Sequence, residues 1–301
     1  MRLKRGVVVL HRAPGVTQVG LARPVVLTGL SPEDQRVLAA LEGGRIVPSR
    51  LSEGARSGLE RIAAQGHCAP PPGSPPRAST IAIHGADAVG IAVARALARH
   101  GHAIELVDDA PAVSETAGVF ASTRAGETCA AAAAREVRAS VPGASVRVGA
   151  SSPDAAIVIG VGTPDPAAWL PLMRADVPHV LIAADEDGLD VGPLVLPGAS
   201  ACAHCVDLSK TEADAAWPVL RLQCGASRRP VTEPQSAELA GALAAGMLLA
   251  WSGAGSHAWA VNCSWRVEPG RAPVPRPAWP QPECGCGAAG PSATSDRISA
   301  P

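Results

Sequence analysis

The stretch "STIAIHGADAVGIAVARALARHGHAIELVDD" (79–109) constrains this chain more than any other. A short apolar run, a turn holding Gly85 and Gly90, an amphipathic segment and a second apolar run read as strand, turn, helix, strand. Parallel strands joined by a helix need covering on both faces, so the unit predicts an α/β chain with a doubly wound, Rossmann-like sheet. Later runs extend the alternation. "PDAAIVIG" (153–160) and "PHVLIAA" (178–184) are strand candidates separated by a helix through Trp169, Leu170 and Leu172. "VGPLVLPG" (191–198) predicts a further strand, and "AWAVNCSWRVE" (258–268) a late one. "TEPQSAELAGALAAGMLLAWS" (232–252) predicts a long helix capped by Thr232.

The segment before this core is different. "CAPPPGSPPRAS" (68–79) is a Pro/Gly/Ser linker, which sets residues 1–67 apart as a small domain. "GVVVLH", "VTQVGL" and "PVVLTGL" are short strand candidates within it. In "SPEDQRVLAALEGG" Ser31 suits a helix cap and Pro32 the first helical position, with Glu33 and Asp34 set against the positive helix end. Val37, Leu38 and Leu41 give that helix an apolar face, and Gly43-Gly44 a stop. A second helix around 53–65 carries Leu59 and Ile62. Strands followed by helices in so short a segment predict a winged-helix-like module.

Charge divides the chain in the same place. Residues 1–67 hold ten Lys/Arg against five Asp/Glu, a net of +5, and the remainder sixteen against twenty-two, a net of −6. The first segment therefore suits an acidic partner, nucleic acid or acidic peptide. Its helices lack a dense basic face with base-reading Asn or Gln, so nucleic acid ranks last. The apolar run at the N-terminus is too short for a signal peptide, and "LAGALAAGMLLAW" (239–251) is too short for a membrane span. The expectation is a cytoplasmic chain with no membrane partner, whose eight cysteines are thiols or metal ligands rather than disulfides.

Two sites stand out. Gly85 and Gly90 hold the outer positions of a G-x-G-x-x-G turn, the motif that cradles a dinucleotide, but Asp87 replaces the middle glycine. A carboxylate there adds bulk and repels phosphates. Asp108, about twenty residues on, stands where an acidic residue would hold a ribose. Either the turn binds ATP or a dinucleotide, or it only packs helix on strand. The second site joins Cys202 and Cys205, in "SACAHCVDL" (200–208), to Cys284 and Cys286 in "PECGCG". Two close pairs supply four thiolates, the number a structural zinc takes in tetrahedral geometry. Redox chemistry would instead ask for a Cys-x-x-Cys in a thioredoxin-like setting, and eight cysteines also make some pairs by chance. Cys68, Cys129, Cys224 and Cys263 read as buried apolar residues.

The order of glycine turn, "LVDD", "DAAIVIG", "VGPLVLPGASACAHCVDL", late helix and terminal cysteine pair resembles the ThiF-type adenylyltransferases related to ubiquitin-activating enzymes. "VGPLVLPG", "CAHCVDL", "DAAWPVLRLQ" and the ending "CGC" are similar to actinobacterial ThiF-like proteins that accompany YcaO-type cyclodehydratases. The resemblance covers roughly 7–286. It implies a ThiF-like domain with a zinc site over 80–286 and a leader-peptide recognition element over 1–67; residues 287–301, beyond it, are expected to be a disordered tail. It also implies a YcaO-type partner enzyme and a homodimer. Active members of the family use an intact glycine loop, cationic side chains toward the phosphates and an Asp for magnesium after the fourth strand. Here Asp87 interrupts the loop, 110–130 contains Arg124 but no lysine, and Asp165 is displaced. No catalytic residue is assigned on that basis. One expectation is a non-catalytic scaffold that presents an acidic leader peptide to a cyclodehydratase in ribosomal peptide biosynthesis. The other is an ATP- and magnesium-dependent adenylyltransferase whose phosphate contacts come from elsewhere.

Overall fold

Strands Val9–Ala13 (β1), Val16–Val19 (β2) and Val25–Leu27 (β3) form an antiparallel sheet in that order. The computed structural model describes residues 3–4, 6–42, 52–68, 79–112, 120, 123–149, 151–224, 232–253 and 257–290. It divides into two compact units, Met1–Pro76 and Arg77–Pro301. In the first, helix Pro32–Ala39 (α1) opens with a capping box: Asp34 N–H donates to Ser31 Oγ, and the Asp34 carboxylate accepts from Ser31 N–H. Asp34 also accepts from Ser52 N–H at 3.1 Å, tying the start of Glu53–Ala64 (α2) to α1. Leu38, Leu41, Leu59 and Ile62 are buried against Val19, Val25 and Leu27. Val37 is only half-buried, and the Gly43-Gly44 stop lies outside the described residues.

The second unit is built on an eight-stranded sheet. Its strands are Thr80–His84 (β4), Ala103–Val107 (β5), Val146–Val148 (β6), Ala155–Val161 (β7), His179–Ala184 (β8), Leu189–Val195 (β9), Cys263–Val267 (β10) and Val274–Pro277 (β11). The order is β11-β10-β9-β8-β7-β4-β5-β6. β4 to β8 are parallel, as predicted, whereas β9, β10 and β11 pair antiparallel. β11 lies in Pro-rich chain with no strand periodicity; Pro275 and Pro277 are tolerated because β11 is an edge strand.

Alternation along the strands creates two cores. Ile81, Ile83, Ile157, Ile159, Val180 and Ile182 point to one face, covered by Ala88–Arg99 (α3), Cys129–Ser140 (α4) and, after three intervening helices, Pro234–Ser252. Ala82, Ala156, Val158 and Leu181 point to the other, covered by Pro166–Arg174 (α5) and Ala203–Ala213 (α6). Trp217–Cys224 (α7) follows α6 and buries no residue. The long helix Pro234–Ser252 (α8) packs so closely on α3 that a Cβ on Gly241 would lie 2.6 Å from Ala92 Cβ. Its N-cap is Glu233 rather than Thr232, because Pro234 takes the first helical position and sets the start one residue later.

Candidate functional site: a four-cysteine centre and a capped glycine turn

β9 runs into a turn that delivers Cys202 to the N-cap of α6, and one helical turn on stands Cys205. After β11 the chain returns to place Cys284 and Cys286 beside them. The four sulfurs lie within 4.8 Å of one another. Cys202 Sγ is 3.8 Å from Cys205 Sγ and 3.5 Å from Cys284 Sγ, and Cys205 Sγ is 3.7 Å from Cys286 Sγ. A tetrahedron with metal–sulfur bonds of ~2.3 Å has edges of about 3.8 Å, so the sulfur cage fits one zinc-sized ion. Cys202, Cys205 and Cys284 are buried among Trp169, Leu172 and Leu181. Gln281 N–H donates to Cys205 Sγ at 3.4 Å, the backbone support typical of a thiolate ligand. Its bond from Cys202 holds the Cys205 thiol down at about 4, while the same bond and then burial push Cys202 up. Burial pushes Cys284 up to about 12. Of the remaining cysteines only Cys129 is buried; Cys68, Cys224 and Cys263 are half-buried.

The glycine turn is drawn tight between β4 and α3. Gly85 has φ +114°, and a Cβ on Gly90 would collide with the Gly85 carbonyl. Asp87 is the N-cap of α3, its Oδ1 accepting from Gly90 N–H at 3.0 Å. A carboxylate of the chain itself thus occupies the positive end of the helix. Asp108 accepts from Ala86 N–H at 2.9 Å and from Ala110 N–H at 3.2 Å, so it braces the same turn. Asp165 caps α5 through Ala167 N–H, and Arg124 N–H donates to Glu127.

A buried polar network escaped the sequence reading. Asp207 accepts from Thr163 Oγ1 (3.0 Å), Trp217 Nε1 (3.1 Å) and Arg221 Nε (2.5 Å), so it binds the end of β7 and helix α7 to α6. Lys210, one turn further along α6, donates to the Gly162 carbonyl at 2.6 Å and lies 4.6 Å from the Trp217 ring centroid. The available signal was an Asp and a Lys three apart beside apolar residues on a helix that starts at a cysteine pair.

No family model and no curated protein matches the sequence. Solved structures do. Escherichia coli MccB with MccA superposes with a TM-score of 0.67 at 16% identity, over 95% of this chain and 98% of that one. The chain has the MccB fold. MccB with ATP gives a TM-score of 0.66 at 15% identity over the same shares. PaaA gives 0.51 at 14% identity, over 67% of this chain and 73% of its own. Both units of the chain fall within the span matched to MccB, since that span covers nearly the whole of each protein. The match bears out the α/β, Rossmann-like fold class expected from the sequence.

Proposed function

We propose that this protein is a non-catalytic ThiF-like scaffold. It binds an acidic leader peptide through its N-terminal unit and presents it to a YcaO-type cyclodehydratase. The observation that carries this reading is the capped glycine turn: Asp87 already fills the anion position at the start of α3, where a triphosphate would meet like charge. Activation of a carboxylate depends on neutralising phosphate charge, and an anionic cap works against it. The MccB fold, solved for MccB with MccA, supports binding of a biosynthetic partner by this architecture. In the N-terminal sheet β2 is paired on both sides, so strand addition falls to the edges, β3 within 16–28 or β1. The cysteine centre holds one structural zinc: four protein thiolates leave no open position for substrate or water.

The full chain should bind an acidic precursor peptide, with affinity falling as salt rises, and residues 77–301 alone should not. Equal binding by 77–301 would move recognition out of the N-terminal unit. Pyrophosphate exchange by the unmodified protein with ATP, magnesium and that precursor would instead establish the adenylyltransferase reading.

A further inference from the structure

We propose that the cavity under α6 is a binding site for a compact organic carboxylate, with the Lys210 ammonium as its charge partner. The cavity is about 260 Å3 and lies on the α5–α6 face of the sheet, at the ends of β7 and β9. Leu181, Pro193, Val206 and Ala278 make its walls apolar, and Lys210 and Arg276 enter it from different elements.

An ammonium has three N–H donors. One Lys210 donor is taken by the Gly162 carbonyl, and the Trp217 ring provides a second, diffuse partner. Among the described residues Lys210 makes no direct ion pair. Asp207, one turn back along its own helix, is occupied by Thr163, Trp217 and Arg221. Asp190, on the cavity wall, receives Arg276 Nη1 at 3.0 and 3.2 Å and stands 3.8 Å from Arg266. The Lys210 ammonium therefore has no anion in direct contact: Asp190, Asp207 and Asp185 attract it only from a distance while each receives an arginine, and burial, the larger effect, pushes its pKa down. A monocarboxylate supplies an acceptor in direct contact with the remaining N–H donor, and an apolar body fills the walls. Asp190 disfavours a phosphate dianion, and the volume falls below that of sites for drug-sized ligands.

Lys4 and Lys210 are the two lysines of the chain, which makes the test specific. Full-length protein labelled with [ε-13C]lysine gives two side-chain signals, assigned with Lys4→Arg. Benzoate is the probe, with neutral benzamide and inorganic phosphate as controls. Benzoate should shift the Lys210 signal saturably and leave Lys4 unmoved, while neither control should do so at equal concentration. By calorimetry, Lys210→Met should weaken benzoate binding at least about tenfold. The NMR arm uses the native residue, so a poorly folding variant leaves it intact. Shifts caused equally by benzamide would show an apolar cavity without charge recognition. No saturable shift of Lys210 at millimolar benzoate, or undiminished binding in Lys210→Met, would also overturn the proposal.

Discussion

His179 should give this protein an acid-sensitive core. It starts β8, is fully buried, and its Nδ1 lies 2.9 Å from the Val177 carbonyl. A carbonyl only accepts, so the neutral ring carries its proton on Nδ1 and leaves Nε2, which is buried with no hydrogen-bond partner among the described residues, as a bare lone pair. Protonation would put a charge on that nitrogen with nothing to receive it. Burial accordingly pulls the pKa from 6.5 to about 4, against the opposing bond to Val177, with His84 adding to the fall. In the unfolded chain the imidazole takes its proton near pH 6.5, so acid favours unfolding. The contribution is fully present above about pH 7, declines as pH falls through 6.5, and levels off below about 4. At pH 5 the loss relative to pH 7.5 works out to about 2 kcal/mol, from ~1.4 kcal/mol per unit of pKa difference. For a unit of this size that is about 4–8 °C in Tm. His179→Leu removes the titration and, with it, the Val177 bond, a cost that does not vary with pH. The difference in Tm between wild type and variant should therefore shrink by about 4–8 °C between pH 7.5 and pH 5. Acid release of a metal affects both proteins and cancels. A difference that stays constant with pH would refute the reasoning.

Three further outcomes follow from the geometry. Metal analysis should find about one zinc per chain, lost in Cys202→Ser and in Cys284→Ser; with metal-linked stabilisation of about 4 kcal/mol, Tm should drop by about 8–16 °C. Retention of the metal by both variants would end the zinc assignment. Gly241→Val should destabilise by about 1–3 kcal/mol in denaturant titrations, because its side chain meets the Ala92 and Val93 backbone at 2.9 Å and overpacks the α3–α8 crossing. Asp34→Ala removes the acceptor for both Ser31 and Ser52 and should cost about 1–2 kcal/mol in thermal unfolding; an unchanged Tm would show that the capping box is dispensable.

The parallel half of the sheet was legible because each strand is a continuous apolar run beside an amphipathic helix, as at 79–109. The antiparallel half was not. β11 is a fully exposed edge whose residues carry no inward–outward pattern, and its place depends on pairing with β10 rather than on its own side chains. The cysteine centre was readable from spacing, since each pair is local and only their meeting is long-range. The Asp207 network was invisible for the opposite reason: Thr163, Trp217 and Arg221 are 44, 10 and 14 residues away and share no spacing rule. Asp87 lies between. Its presence in the turn was plain, but only the bond to Gly90 shows that the carboxylate is a helix cap.

The wide separation of the two cysteine pairs has a consequence for synthesis. Cys286 stands eighty-one positions after Cys205 along the chain. At ~5–20 residues per second, about 4–16 s pass after Cys205 is made before its last partner exists. Throughout that interval the nascent chain carries a two-thiol half-site, open to oxidants and to stray metals that prefer two ligands. β10 and β11 are translated inside the same interval, so the antiparallel margin of the sheet and the cage that pins it are completed together.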